Sequence, residues 1–168
     1  MYKITDELNF NGFSVNTIDY YIERNGGSRS FEGLDYFCIL IIINNTTVTI
    51  DGIGYDLKRG SLVFIGPSKK FVFCEESQKE GSIYALVFSA SFFEKSAKDS
   101  LMLNSDLFFD KSSKVVVTQA SIPIDEVLKL IITRLELYKT KQNNGLYISV
   151  AHNCVEALML DGLFFVDE

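Results

Sequence analysis

Few residues in this chain could carry chemistry. It has one histidine, His152, and three well-separated cysteines, Cys38, Cys74 and Cys154. A catalytic metal needs three or four converging His, Cys or carboxylate ligands, so one imidazole with no Cys-x-x-Cys pair cannot assemble the usual site. Nucleophilic catalysis needs a serine or cysteine beside a base, and neither Gly-x-Ser-x-Gly nor a cysteine beside a motif-bearing histidine occurs. Cys38 lies in an apolar run and reads as core filler. His152 falls in a helical stretch and reads as a partly buried or interface residue. The acidic group Glu75, Glu76 and Glu80 reads as a solvated loop. No Gly-x-Gly-x-x-Gly or phosphate-binding loop is present. The expectation is no enzyme, no metal and no cofactor.

Arg24 is the one side chain with a binding chemistry to consider. It follows Asp19-Tyr20-Tyr21-Ile22-Glu23, an aromatic-rich stretch that reads as a strand. A guanidinium at a barrel mouth could grip a hydroxyl-rich or anionic ligand through several donors. The alternative is a strand-end charge facing water.

The elements that would position these residues are mostly strands. Tyr36–Ile43 is a continuous apolar run, and Thr46–Ile50 is β-branched. Asp51-Gly52 is a hairpin signal because both residues tolerate positive φ. Tyr55–Leu57, Ser61–Ile65, Lys70–Cys74 and Ser82–Ser89 complete a set of short strands separated by turns, the pattern of a barrel or sandwich. Residues 1–16 read as an arm or edge strand, Ser91–Lys98 as a short helix, and Leu107–Phe109 as a small buried segment.

The pattern changes at Ser121. Ser121 reads as a helix cap, with Pro123, Asp125 and Glu126 in the first turn. Ile124, Val127, Leu128, Ile131, Leu135 and Tyr138 recur at three and four, with Leu130 and Leu137 off that stripe. Lys139–Asn144 reads as a polar loop broken by Gly145. A second helix is expected over 146–160, ended by Gly162. Division into 1–120 and 121–168 follows.

Composition bounds the rest. At 168 residues, 47% hydrophobic and 23% charged, the chain can build a core and is neither a disordered tail nor a membrane protein. The net charge of -6, with scattered basic residues, argues against direct nucleic-acid contact. The longest apolar strand is too short to span a bilayer and no signal-peptide core opens the chain. A cytoplasmic location and no membrane partner are expected.

In their order, several pieces resemble the sensor domain of AraC-type bacterial transcription regulators. They are Ile50-Asp51-Gly52-x-x-Tyr55-x-Leu57-Lys58-Arg59-Gly60-Ser61-Leu62-Val63-Phe64-Ile65-Gly66-Pro67, then Tyr84–Phe93. Tyr20–Arg24 is similar to an aromatic-aromatic-Ile-acid-Arg strand of sugar-responsive members. Gly145-x-Tyr147-x-x-x-Ala151-x-Asn153-x-x-Glu156-x-Leu158 is similar to their subunit-pairing helix. The resemblance implies a mainly β, cupin-like (jelly-roll) barrel followed by two C-terminal α-helices. It implies a small-molecule effector held at Arg24, Phe73, Ile83 and Ala85, and a homodimer made through Val150, Asn153, Ala157 and Leu160. It also implies DNA binding only by a helix-turn-helix domain that would follow, which makes the chain a truncation. The apolar Leu163–Val166 points the same way. Residues 1–16 would be the arm that moves on ligand binding.

Phe73, Ile83 and Ala85 stand where the sugar-responsive members contact their ligand, and they replace residues there that could hydrogen-bond or stack a sugar. A hydrophobic or acidic metabolite and a self-filled barrel are both compatible with them. The helix face at 150, 153, 157 and 160 could equally pack on the barrel. A small cupin enzyme and a ligand-free oligomerisation scaffold stay as alternative functions.

Overall fold

The computed structural model describes residues 2–8, 11–32, 35–74, 79–140 and 145–166. Strands β1 (Phe13–Thr17), β3 (Phe37–Ile42), β6 (Ser61–Ile65), β8 (Ile83–Phe88) and β9 (Val116–Gln119) form one antiparallel sheet in the order β1-β8-β3-β6-β9 once β2 (Ser30–Glu32), β4 (Thr46–Ile50), β5 (Ile53–Leu57) and β7 (Lys70–Phe73) are set aside. Those four make a second antiparallel sheet, β2-β7-β4-β5. The protein is therefore β-rich, with two sheets that do not close into one barrel among the described residues.

Strand alternation explains the layers. On β3, Cys38, Leu40 and Ile42 face the four-stranded sheet, where they meet Val48, Ile50, Phe71 and Phe73. Phe37, Ile39 and Ile41 face the other way, into a second core built with the helices. Every residue of β3 is buried, which is why its sequence is continuously apolar rather than alternating. Strand β4 faces a core on one side only, and there the alternation returns as Thr46, Val48 and Ile50 buried with Thr47 and Thr49 half-buried.

Helices α2 (Ala90–Phe93), α3 (Ala97–Leu103), α4 (Ile124–Lys139) and α5 (Leu146–Val166) supply the helical side of that second core. Helix α4 buries Ile124, Val127, Ile131 and Leu135, the stripe its spacing predicts. The Asp51-Gly52 hairpin also forms as expected, with φ of 49° and 80°.

Several expectations are corrected. Residues 19–24 are not a strand but most of helix α1 (Ile18–Arg24). Thr17 caps it by accepting a hydrogen bond from the Tyr20 amide at 3.2 Å, Asp19 lies in its first turn, and Ile18, Tyr21 and Ile22 share its buried face. Position spacing outweighed the β preference of the aromatics. Residues 13–17 are an edge strand, and a 3-10 turn over Ile4–Leu8 precedes it. The helix expected over 91–98 is two, α2 and α3, each with its own serine cap, Ser89 and Ser96.

Ser121 does not cap α4. Pro123 is the N-cap, and the Ser121 amide and hydroxyl both donate to Asp161 on α5, at 3.1 and 2.9 Å. Gly162 does not end α5, which runs on to Val166. A Cβ at Gly162 would lie 2.7 Å from the Phe64 ring and 2.8 Å from Leu107, so glycine here permits close helix–sheet contact. Strands β2 and β9 had no sequence expectation. Leu107 and Phe108 are buried as expected, while Phe109 is exposed. Glu75 and Glu76, and most of the loop expected over 139–144, lie outside the described residues; Glu80 is exposed.

Candidate functional site

Of the four expected ligand residues, three converge. Phe73 on β7 and Ile83 and Ala85 on β8 belong to one core between the two sheets. All are at most 1% exposed. The space they share is occupied by protein. Phe31, Phe71 and Phe73 form a ring cluster on the four-stranded sheet, with centroids 5.6 to 5.9 Å apart.

Arg24 does not join them. The α1 helix carries its backbone to the last turn, and its side chain is half exposed. Its Nε pairs with Glu7 of the 3-10 turn. Its guanidinium lies over two tyrosine rings, 5.3 Å from the Tyr2 centroid and 5.7 Å from that of Tyr20. Both phenols reach Glu7 as well, Tyr2 at 3.1 Å and Tyr20 at 3.3 Å. Arg24 is thus the centre of a clasp that fastens residues 2–7 to α1. Sequence reasoning missed this clasp because Glu7 and Arg24 are 17 positions apart by number.

The same N-terminal stretch borders an open cavity of about 640 Å³, lined also by Asn25, Ser28, Ser30, Glu32 and Asp35 among others. Ligand pockets fall in that size range. Polar groups also reach the intersheet core. The Tyr21 hydroxyl meets Ser14 Oγ at 2.8 Å. Cys38 is 1% exposed, and burial pushes its thiol well above the usual range, so it stays protonated and is a poor nucleophile.

His152 has a structural setting. Its ring stacks on Phe93 at 4.6 Å between centroids and 9° between planes. Nε2 lies 3.0 Å from the Phe93 carbonyl and 2.9 Å from Asp99 Oδ2. Both facing atoms are acceptors, so Nε2 carries the hydrogen and donates. Lys98 of α3 pairs with Glu156 of α5 at 2.9 Å one turn along. Together these contacts pin α3 to α5. No group of three or more potential metal ligands occurs among the described residues.

The four expected dimer residues divide. Asn153, Ala157 and Leu160 are exposed on one side of α5, whereas Val150 is buried at 7% exposure. Their neighbours across the α4–α5 groove are Ile122, Leu130 and Arg134, and the Arg134 guanidinium donates to Asn153 Oδ1 at 3.3 Å. Leu130, Leu137, Leu160 and Phe164 are each more than half exposed. Helix α5 is 21 residues long with mean hydropathy 1.3 in its most apolar stretch, which is long and apolar enough to cross a membrane by those measures alone. Seven of its residues are instead buried against the rest of the fold, from Val150 to Gly162.

No protein-family profile and no curated protein matches the chain. Among solved structures, it is similar to apo ToxT K231A from Vibrio cholerae at 15% identity and a TM-score of 0.43, over 75% of this chain and 48% of that one. It is similar to the plu4264 protein of Photorhabdus luminescens at 14% identity and a TM-score of 0.34, over 37% of this chain and 52% of that one. The chain spans about half the length of each, and at these scores neither likeness assigns a fold or a function.

Proposed function

We propose that this chain is the effector-sensing and dimerising part of an AraC-type transcription regulator. In this reading its two sheets are an opened form of a cupin-like barrel. A small molecule binds at or beside the intersheet core, and helices α4 and α5 pair two subunits. DNA is bound by a helix-turn-helix domain outside residues 1–168. The carrying observation is the apolar outer face of α4 and α5, with Leu130, Leu137, Leu160 and Phe164 exposed beside Asn153. Exposed large apolar side chains gathered on two neighbouring helices favour a protein contact. The order of sequence motifs that resemble the family supports the same reading, although residues 20–24, matched there to a strand, are helical here.

A second reading is favoured by the filled interior. Phe71, Phe73, Ile83, Ala85 and Val87 leave at most 1% of their surface exposed, which suits a scaffold that dimerises without a ligand.

The test is a thermal-shift screen of the chain and of Arg24→Ala against a metabolite library, with sedimentation of both. A sensor gains melting temperature from a ligand by mass action. A dimer that no metabolite stabilises supports the scaffold, and a monomer that binds nothing sinks both readings.

A further inference from the structure

The groove between α4 and α5 carries a charge of opposite sign at each end. Arg134 and Asp161 are the charged members of a lining that is otherwise apolar or neutral. Contacts set their order along it. Arg134 donates to Asn153 at one end, while the Ser121 amide and hydroxyl donate to Asp161 at the other. Asn153, Ala157 and Asp161 recur every four residues, so they share one side of α5 with Ala157 halfway. The two ends are about 12 Å apart along the helix axis. Leu130 lines the same groove, and it and Leu160 are more than half exposed.

Neither charge is neutralised within the chain. Arg134 has no carboxylate partner among the described residues, and the Asp161 carboxylate receives only the neutral Ser121 there, both bonds falling on Oδ2. Glu156, also on α5, is already held by Lys98.

A groove charged in this way is complementary to itself. A two-fold axis through its middle turns it end for end, laying the arginine end of one copy against the aspartate end of the other, twice over. The exposed leucines of both copies then lie between the two pairs. A parallel copy would instead set arginine beside arginine and aspartate beside aspartate, which electrostatics disfavours.

We propose that this groove docks a second copy of the chain in the antiparallel sense, Arg134 of each copy pairing with Asp161 of the other, and that these two pairs select the partner and its register. This rests on the reading of α4 and α5 as the pairing helices and goes beyond it by naming the groups that set specificity.

The experiment is sedimentation equilibrium of the full chain, of Arg134→Glu and of Asp161→Lys, each alone and the two variants mixed in equal amounts, with circular dichroism to confirm folding. Each variant alone opposes like charges at both ends, and its dimer is weaker than the parent's by about tenfold or more. In the mixture the introduced glutamate faces the introduced lysine, and the native Asp161 faces the native Arg134. The mixed dimer is therefore about tenfold or more tighter than either variant's own. Added salt weakens the parent dimer and strengthens that of each variant. If Asp161→Lys unfolds through loss of the Ser121 bonds, Arg134→Glu decides alone, by its loss of affinity and its reversed salt response. A parent dimer that Arg134→Glu leaves intact overturns the inference while pairing through these helices stands. So does a mixture of folded variants that is no tighter than its components. A parent that is monomeric at every concentration overturns both.

Discussion

The His152 Nε2 atom sits 2.9 Å from Asp99 Oδ2, and this contact ties α5 to the helical segment that leaves β8. Asp99 is 3% exposed. Desolvation alone would raise its carboxyl, but the Lys95 amide, His152 and Lys98 outweigh that and hold it below 3.8. The folded state therefore binds its proton less readily than the unfolded chain. The resulting stability is present above 3.8 and disappears as pH falls through the lower folded value. Asp99→Asn is expected to lower stability by about 1–2 kcal/mol at neutral pH, with the gap to the parent closing in acid. Urea melts of both proteins across that range check this; a gap that stays constant with pH would refute it.

Gly162→Ala sets two effects against each other. Alanine in a helix interior gains about 1 kcal/mol over glycine. The added Cβ, at 2.7 Å from the Phe64 ring, forces repacking that costs about 1–3 kcal/mol. The expected outcome is a lower melting temperature, partly recovered by Phe64→Leu in the double variant. An alanine variant more stable than the parent would mean that α5 shifts freely on the sheet.

Arg24→Ala removes the clasp at Glu7, Tyr2 and Tyr20 while leaving both cores intact. Residues 2–8 are expected to exchange their amide hydrogens several-fold faster, with little change in melting temperature. Hydrogen exchange read peptide by peptide distinguishes this from global loss of stability. Unchanged exchange at the N-terminus would show that the clasp does not hold it.

Leu160→Glu places a charge on the exposed side of α5. If that side pairs two subunits, the dimer dissociation constant rises at least tenfold, equivalent to about 1.4 kcal/mol. The monomer fold is unaffected because the side chain is 53% exposed. Sedimentation over a concentration series reads the result, and an unaltered dimer would locate the interface elsewhere.

Much of the strand content was legible. Thr46–Ile50 and Ser61–Ile65 have the bounds their composition implies, since β-branched runs between Asn, Gly and Asp turns leave little latitude. Strand β2 is three residues, too short for a pattern of its own, whereas β9 follows on a β-branched run, Val115, Val116, Val117 and Thr118, whose signal was passed over. Helix α1 was misread because its aromatic composition was weighed above the i, i+3, i+4 spacing of Ile18, Tyr21 and Ile22, which the sequence already displayed. Gly162 was read as a stop because a glycine late in a helix usually is one; the ring of Phe64 that needs it is nearly a hundred residues upstream. Tyr36, just before β3, carries a buried hydroxyl at the head of an apolar strand, unpaired among the described residues. Its missing partner is a fact of three dimensions, as is the pairing of Arg24 with Glu7.

Strands β3, β6 and β8 form a party wall between two chambers, one bounded by the second sheet and one by the helices. Both chambers are filled, and close-packed interiors compress little. Bulging the wall to admit a guest on one side consequently takes room from the other. The helices α4 and α5 stand on that other side, so a guest entering between the sheets would reach them as displacement.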